Sequence, residues 1–368
     1  MVSALVIGGT GPTGPFVVNG LIERGFDVTI MHTGRHERDE IPDEVIHLHT
    51  DPFDHDASAQ ALGQTTYDLA VVMYGRLRML APLLVPKVGR VITIGGVGAV
   101  QGWVDPRDLF PTSMTVPTPV DAPLAPADEP IGKIRRIVET EEVVFEHHPD
   151  AIHLRYPMLY GPRQLIPREW PMIRRALDGR PTMILADGGL TLKSASYVEN
   201  AAHAVMCAVD RGLSGAGQIF NVTDSRALTL RQIAEVVADE VGHRFEFVSM
   251  PYQLAVPARP VVMHWSTGHR VVNSEAVRRV LGYHDLVQPE EGLRRTARWL
   301  MANRPSPKAE ALLQDPFDYE AEDELLRRWQ AVLDGFEVPE FTTEPGFGGA
   351  YYGRDPNPAT GSSRVEPL

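Results

Sequence analysis

The glycine-rich stretch at residues 8–14 constrains the fold of this chain more than any other feature of its sequence. An apolar run, Ala4 to Ile7, leads straight into glycines at positions 8, 9, 11 and 14. Residues 16–22 then carry apolar side chains at the i, i+3, i+4 spacing that is typical of one helix face, and Val28 to Met31 predict a second strand. We therefore expect the glycines to form the turn between a buried strand and a helix N-terminus.

Such a turn is suited to binding a phosphate group. The first turn of a helix leaves backbone amides without partners and carries roughly half a positive charge. The spacing is Gly8-x-x-Gly11-x-x-Gly14, which differs from the Gly-x-Gly-x-x-Gly pattern of many dinucleotide-binding proteins. The residues predicted to cradle a dinucleotide pyrophosphate are Gly8, Thr10, Gly11, Pro12, Thr13 and Gly14. A glycine turn without a ligand is the alternative.

The end of the second predicted strand indicates which dinucleotide binds. An acidic residue at this point accepts a hydrogen bond from the ribose 2′-hydroxyl of NAD, whereas an arginine accommodates the 2′-phosphate of NADP. No acidic residue precedes Glu37 here, and Thr33 and Arg35 follow the strand. We therefore expect NADP, with NAD as the alternative cofactor. The alternative for these residues is a basic turn that faces solvent and binds no cofactor. Asp51 is predicted to reach the adenine edge or, alternatively, to form an Asp-Pro turn.

Further apolar segments predict a sheet of parallel strands. The predicted strands cover residues 45–49, 69–75, 90–96 and 152–157, with a strand-like segment at 218–222. Several are apolar on both faces, as buried parallel strands are. Strands that alternate with helices predict an α/β fold with a doubly wound parallel sheet. The proline-rich segment 97–130 is predicted to be a long loop over the cofactor.

Helical periodicity recurs in the second half of the chain. Predicted helices cover residues 133–146, 172–177, 274–281, 289–302 and 319–333, and one begins after Thr229, a favourable N-cap. Beyond Gly335 the sequence is rich in Pro, Gly and Thr and has no periodicity. Because it retains several aromatic residues, we expect residues 336–368 to form an irregular arm, with a disordered tail as the alternative.

Composition narrows the functional classes. Over 368 residues the formal net charge is −13, which argues against a nucleic-acid partner. The single cysteine, Cys207, excludes an internal disulfide, and we expect no metal-binding cluster. No apolar run reaches the roughly 18 residues of a membrane span, and no leader sequence is apparent. We therefore expect a cytoplasmic protein with no membrane partner.

Taken together, these motifs resemble the extended short-chain dehydrogenase/reductase superfamily, in its branch of NAD(P)-dependent epimerases and dehydratases. The resemblance covers residues 1–304. Besides the glycine turn, it rests on Leu154-Arg155-Tyr156-Pro157 with Tyr160-Gly161-Pro162, which is similar to the family's Leu-Arg-Pro…Tyr-Gly-Pro segment. Tyr197-Val198-Glu199-Asn200-Ala201-Ala202, Phe220-Asn221-Val222 and Leu281-Gly282-Tyr283 are similar to three further family landmarks.

The resemblance implies a Rossmann domain and a smaller C-terminal lobe that binds a small-molecule substrate. We expect the Rossmann domain at residues 1–161 with returning segments around 194–224, the substrate lobe at 162–335, and a homodimer. The family also implies a Ser/Thr-Tyr-Lys catalytic set, in which the tyrosine exchanges a proton with the substrate and the lysine four residues later lowers the pKa of the tyrosine.

This catalytic set does not occur in the sequence. The chain has four lysines, and the residues four positions before them are Leu83, Glu129, Gly189 and Arg304. Lys133 falls where the family's lysine is expected, so Glu129 takes the place of the tyrosine. The strand that ends in serines in the family ends here in Gly95-Gly96.

Two functions remain open. The first is an NAD(P)-dependent oxidoreductase or epimerase, acting on a small carbonyl- or hydroxyl-bearing molecule with a non-standard proton donor. Its predicted catalytic residues are Glu129, Lys133, Tyr160 and Tyr74. Gly75, Gly95, Lys133 and Tyr156 are further predicted cofactor contacts, and Arg163, Arg168, Trp170 and Arg174 are potential substrate contacts. The second function is a non-catalytic NADP(H)-binding sensor or scaffold.

Overall fold

The structure, a computed structural model, describes residues 2–35, 37–73, 77–212 and 217–342. The chain divides into two compact units, Met1–Asp315 and Pro316–Leu368. The expected boundary between a Rossmann domain and a substrate lobe, near residue 161, falls inside the first unit. Within the described residues, no helix is both long and apolar enough to span a membrane.

A seven-stranded parallel sheet forms the centre of the first unit. Its strands are β1 (Val2–Ile7), β2 (Phe26–His32), β3 (Ile46–His49), β4 (Tyr67–Val72), β5 (Val88–Gly96), β6 (Ile152–Tyr156) and β11 (Gln218–Asn221). Their spatial order is β3-β2-β1-β4-β5-β6-β11. The order reverses between β1 and β4, which makes their carboxyl ends the topological switch point of a doubly wound sheet. The predicted fold class is confirmed.

Helices cover both faces of the sheet. On one face, α1 (Gly14–Glu23), α6 (Val198–Arg211) and α9 (Glu275–Leu281) share one apolar core with the strands. On the other face, α2 (His55–Leu62), α3 (Leu77–Leu84) and α4 (Gly132–His147) contribute to a second core. Strand residues alternate between these two cores, so the sheet is buried on both sides and its strands are apolar throughout.

Residues after β6 add smaller elements beyond the carboxyl edge of the sheet. The short strands are β7 (Met158–Tyr160), β8 (Thr182–Ala186), β9 (Leu192–Lys193), β10 (Ala195–Tyr197), β12 (Leu228–Thr229) and β13 (Glu246–Met250), paired as β7–β10, β8–β13 and β9–β12. The helices are α5 (Trp170–Leu177), α7 (Leu230–Val241), α8 (Arg259–Val262), α10 (Pro289–Ala302) and α11 (Pro307–Ala311). The expected return to the main sheet takes place at β11.

Side-chain caps explain where several helices begin. Thr229 and Gln232 form a reciprocal capping box at the start of α7, which confirms the predicted N-cap. The helices predicted at 133–146 and 289–302 occur as α4 and α10. The sequence interpretation missed α2, although the Asp54 carboxylate accepts a hydrogen bond from the Ala57 amide, as an N-cap does.

The long segment 97–130 is irregular, as predicted, but it is tied down at several points. Thr118 donates its amide to Val271 O and accepts from the Asn273 amide, at 2.7 and 2.8 Å. The buried Arg270 donates from Nε to Trp103 O at 2.7 Å. Four apolar side chains of the segment also pack with Val272 in one cluster; they are Val97, Val100, Trp103 and Met114. The segment is therefore an ordered cover joined to residues 266–273.

The second unit contains α12 (Tyr319–Asp334), close to the predicted helix at 319–333. Residues 336–342 have no regular secondary structure. The remainder of the predicted arm, residues 343–368, lies outside the described residues, so its conformation stays a prediction.

Candidate cofactor and substrate site

The glycine turn lies at the switch point, at the carboxyl end of β1. Gly8 has φ of +93°, and a Cβ there would lie 3.2 Å from Met73 O at the end of β4. At Gly14 a Cβ would lie 2.0 Å from Gly9 O, so no larger residue fits. A Cβ at Gly11, in contrast, would contact only Gly8 O at 3.6 Å. Packing therefore leaves no room for a side chain at Gly8 and Gly14. Space remains beside Gly11, where a phosphate group could approach the backbone.

Backbone groups of this turn are free to bind a ligand. The amides of Thr10 and Thr13 donate to no residue within the described part of the chain. Both precede α1, whose N-terminal dipole favours negative charge. Arg38 donates from Nε to Thr10 O at 2.9 Å and so holds a guanidinium against the turn. This geometry suits a pyrophosphate group, and the pyrophosphate site stays a prediction.

The loop after β2 carries the residues predicted to select the dinucleotide. Thr33 and Arg35 are exposed there, and no acidic residue lies between β2 and Glu37. Asp51, predicted to reach the adenine edge, accepts from the Phe53 amide at 3.0 Å in a local turn. That bond fits the turn alternative, and one carboxylate oxygen of Asp51 remains for a ligand.

At the end of β5 the structure places a glycine against a buried histidine. A Cβ at Gly95 would lie 2.2 Å from His153 Nε2, so packing alone requires glycine there. Glu129 is half-buried before α4 and accepts from the Ile131 amide at 3.0 Å. Lys133, in the first turn of α4, is exposed. Both predicted residues therefore lie where the long loop meets α4.

The two tyrosines on β6 and β7 are buried. Tyr156 donates its hydroxyl to Ala201 O at 2.7 Å, on the α6 side of the sheet. Tyr160 donates to Asp224 Oδ2 at 2.8 Å, and burial followed by the nearby Asp224 charge raises its pKa. A hydroxyl engaged in this way is poorly placed to exchange a proton with a substrate. Tyr74 and Gly75 lie outside the described residues.

A partly open cavity adjoins β7. Because β7 follows β6 after one proline, it lies at the same edge of the sheet as the glycine turn. The cavity wall is largely apolar, with Met158, Met172, Ile233 and Val261 among the lining residues. The charged groups that line it are Arg168, Glu169 and Lys193. We call this space the Lys193 cavity. Its lining suits a molecule with an apolar body and a polar end.

The Lys193 cavity is electrostatically positive. Burial, then the charges of Arg168 and Arg270, lower the pKa of Lys193 to about 7. Burial also lowers the pKa of Arg168 to about 10, and its Nη1 has no hydrogen-bond partner among the described residues. Burial raises the pKa of Glu169, which weakens the one opposing charge on the wall. An enclosed guanidinium without a partner is costly, and a ligand oxygen would satisfy it.

Of the four side chains proposed to contact substrate, Arg168 lines this cavity. Arg163 forms an ion pair with Glu40. Trp170 donates from Nε1 to Glu310 at 2.6 Å, and Arg174 pairs with the same carboxylate at 2.7 Å. The sequence interpretation missed Lys193, whose only signal was a lysine within the otherwise uncharged segment 190–197.

We expected no metal-binding cluster from the sequence, but the structure brings together four side chains that could ligate a metal ion. Three histidines and a carboxylate, His32, Glu37, His47 and His49, lie together at the carboxyl ends of β2 and β3, with their ligand atoms within 4.8 Å of one another. That expectation considered cysteine, which this site does not use. The signal in the sequence was the pair His47 and His49, because alternate residues of a strand share a face.

No family model matches the chain. Among curated proteins it is similar to the decarboxylating sterol-4-alpha-carboxylate 3-dehydrogenase of Schizosaccharomyces pombe, 30% identical over 177 residues that cover 40% of this chain and 49% of the relative. It is also similar to UDP-N-acetyl-alpha-D-glucosaminuronate decarboxylase of Bacillus cytotoxicus, 25% identical over 153 residues that cover 40% of this chain and 44% of the relative. The chain thus spans about half the length of these curated relatives.

Solved structures share the fold over more than four fifths of the chain. UDP-glucose 4-epimerase of Thermotoga maritima, with UDP-glucose, matches with a TM-score of 0.63 and 19% identity over 83% of this chain and 100% of that one. The Bordetella bronchiseptica enzyme WbmH in complex with NAD+ matches with a TM-score of 0.63 and 15% identity over 82% and 99%. The chain thus shares its fold with these solved structures, and about 40% of it is similar in sequence to a dehydrogenase and a decarboxylase.

Proposed function

We propose that the chain is an NAD(P)(H)-dependent oxidoreductase or epimerase that acts on a small molecule bearing a carbonyl or hydroxyl group. The observation that carries this proposal is the glycine turn at the switch point of the sheet. Packing requires glycine at Gly8 and Gly14, whereas Gly11 is open to a ligand. The Schizosaccharomyces pombe relative is named a dehydrogenase, and WbmH was crystallised with NAD+, which supports the same cofactor class.

NADP is the dinucleotide that we expect to bind better. The loop after β2 offers the exposed Arg35 to a 2′-phosphate and no acidic residue before Glu37. Arg38, held against Thr10 O, adds a second positive charge on the same side of the turn. A 2′-phosphate gains from these charges, whereas a bare ribose has no carboxylate partner there.

The substrate is proposed to occupy the Lys193 cavity. Its apolar wall would contact the body of the molecule, while Arg168 Nη1 and Lys193 would meet an oxygen-bearing end. The nicotinamide would supply or accept the hydride. The chain itself must then deliver or remove a proton at the substrate oxygen.

For that proton we propose Glu129, assisted by Lys133. The two are four positions apart, as the tyrosine and lysine of the family are, and they lie where the cover segment meets α4. A carboxyl group at this position would exchange the proton with the substrate oxygen once a ligand lies over it. Tyr74 and Tyr160 are the alternative donors, of which Tyr160 is the less favoured because its hydroxyl donates to Asp224.

The absence of a Tyr-x-x-x-Lys sequence and of a hydroxyl at Gly95-Gly96 favours the second function, a dinucleotide-binding sensor without catalysis. Both functions require cofactor binding. Only the enzyme would turn over a substrate, so cofactor binding and turnover have to be measured separately.

Cofactor binding is tested by fluorescence titration of the full chain with NADPH and NADH. We expect binding tighter than millimolar, with NADPH preferred by about tenfold through Arg35. Gly11→Ala is tolerated by packing but places a methyl group in the cradle, so it should weaken both dinucleotides. Arg35→Ala should weaken NADPH alone, and the exposed Arg304→Ala is the matched control. Failure of both dinucleotides to bind would overturn the proposal.

Catalysis is tested by following NADPH oxidation with a panel of ketones and enones, and NADP+ reduction with the corresponding alcohols. We expect Glu129→Gln to lower kcat by about 10²-fold or more while the dissociation constant for NADPH stays unchanged. Tyr160→Phe tests, in the same turnover assay, the alternative donor that lies within the described residues. Dinucleotide binding without turnover on any member of the panel would support the sensor function instead.

A further inference from the structure

The histidine cluster, His32, Glu37, His47 and His49, has a geometry that the proposed function does not use. Strands β2 and β3 are parallel, with Ile30 opposite His47 and His32 opposite His49. Because side chains alternate between faces along a strand, this register puts all three imidazoles on one face at the edge of the sheet. Glu37 reaches the same point from the loop that follows β2.

Distances within the cluster are close to those of a metal's ligand shell. His32 Nε2 lies 3.0 Å from His47 Nδ1. The Glu37 carboxylate lies 3.4 Å from His47 Nδ1 and 3.2 Å from His49 Nε2. Four ligand atoms at about 2.0–2.1 Å from a tetrahedral zinc ion are roughly 3.3 Å apart. Small rotations of exposed side chains would therefore complete the shell.

Solvent exposure increases from the inner to the outer residues of the cluster, so a metal ion could enter from the surface. His32 is buried at the sheet, His47 is half-buried, and His49 and Glu37 are exposed. The inner ligand is thus held by the fold and the outer ones can close over an ion. Gly34, at φ of +70°, brings the loop within contact of the His49 ring, where a Cβ would lie 3.4 Å from it.

We propose that His32, His47, His49 and Glu37 form a binding site for a divalent transition-metal ion of the zinc class. Three imidazoles and one carboxylate are nitrogen and oxygen ligands that suit Zn²⁺ and Co²⁺, whereas Mg²⁺ and Ca²⁺ prefer oxygen alone. The alternative, an ion-paired surface cluster, leaves His32 Nε2 and His47 Nδ1 sharing one proton and gains little where His49 and Glu37 are exposed. The site does not depend on the proposed function, since it needs no dinucleotide.

The test uses the full chain without a histidine tag. Zn²⁺ is titrated in competition with a chromophoric chelator, and Co²⁺ is followed by the visible absorption of a tetrahedral complex. We expect one ion per chain with a dissociation constant of about 1 μM or tighter, and no comparable binding of Mg²⁺. Both measurements are made in the absence of dinucleotide, so a failed cofactor titration leaves them interpretable.

Variants identify the ligands. His49→Ala and Glu37→Gln change exposed side chains and should leave the melting temperature unchanged while weakening Zn²⁺ by about 10-fold or more each; the double variant should lose the Co²⁺ spectrum. His55→Ala is the matched control, because His55 is an exposed histidine paired with Asp56 at 2.9 Å outside the cluster. Absence of stoichiometric Zn²⁺ binding, or binding that survives the double variant, would overturn the proposal.

Discussion

Two buried polar clusters in this chain differ in whether their cations have a hydrogen-bonded carboxylate partner. The first, which we call the Glu141 cluster, consists of Thr93, Glu141, His153 and Arg155 between the sheet and α4. Arg155 donates to Glu141 through Nε at 2.8 Å and Nη2 at 2.6 Å, and to Val120 O at 2.8 Å. The second surrounds the Lys193 cavity, where Arg168 Nη1 and His264 Nδ1 have no hydrogen-bond partner among the described residues.

The direction of the pKa shifts follows this difference. Burial alone would raise the pKa of Glu141, but the neighbouring His153 and Arg155 side chains lower it below its usual range. Around the cavity, burial lowers the pKa values of Lys193 and Arg168, and burial with the neighbouring cations lowers that of His264 to about 2. A paired buried charge fixes the fold, whereas an unpaired one costs stability and indicates a place for a ligand.

The largest expected effect comes from breaking the paired cluster. Glu141→Leu would leave the Arg155 guanidinium buried with Val120 O as its remaining partner, so the free energy of unfolding should fall by about 3–5 kcal/mol. Urea denaturation measures this change. Glu142→Ala, an exposed position on the same helix, should change it by no more than about 0.5 kcal/mol. A loss below about 1 kcal/mol for Glu141→Leu would show that the pair is not structural.

The opposite result is expected in the Lys193 cavity. Arg168→Leu removes a buried cation that lacks a partner, so the free energy of unfolding should change by less than about 1 kcal/mol. Turnover of the best substrate from the panel should fall by about 30–150-fold, which corresponds to the loss of a charged hydrogen bond worth about 2–3 kcal/mol.

Arg244→Leu, a substitution at an exposed arginine of the same lobe, is the control for that comparison. It should leave both stability and turnover unchanged. If Arg168→Leu destabilises the chain as strongly as Glu141→Leu does, the two clusters do not differ in the way proposed.

The dependence of stability on pH tests the same comparison at Lys193. Its pKa is about 7 in the folded chain and near 10.5 when unfolded, so between these values the unfolded chain binds more protons. Stability should therefore rise with pH from about 7 to 10, by at most about 1.4 kcal/mol per unit. Lys193→Met should remove this slope, whereas Lys308→Met, at an exposed lysine, should retain it. Identical slopes in wild type and Lys193→Met would contradict the depressed pKa.

Much of the fold could be predicted because its signals are local. The sequence from Ala4 to Ile7, with the glycines and the apolar spacing after them, predicts β1, the turn and α1 within one short stretch. The Thr229 cap required a threonine and a glutamine three residues apart. In contrast, α2 has few apolar residues, so periodicity alone did not reveal it.

Only the part of the candidate site that is built from neighbouring residues could be predicted from the sequence. The pyrophosphate cradle comes from consecutive residues, whereas the Lys193 cavity is lined by residues between 158 and 263 that only folding brings together. Among the arginines proposed to contact substrate, the pairing of Arg163 with Glu40 and of Arg174 with Glu310 depends on carboxylates far away in the sequence.

The sequence by itself determined the βαβ order, the absence of a Tyr-x-x-x-Lys pair and the glycine turn, because each depends on neighbouring residues. Only the tertiary structure decided which buried cations find a partner and which histidines share a face. Those outcomes depend on strand register and on long-range packing, which set the distance between charges and the water that surrounds them.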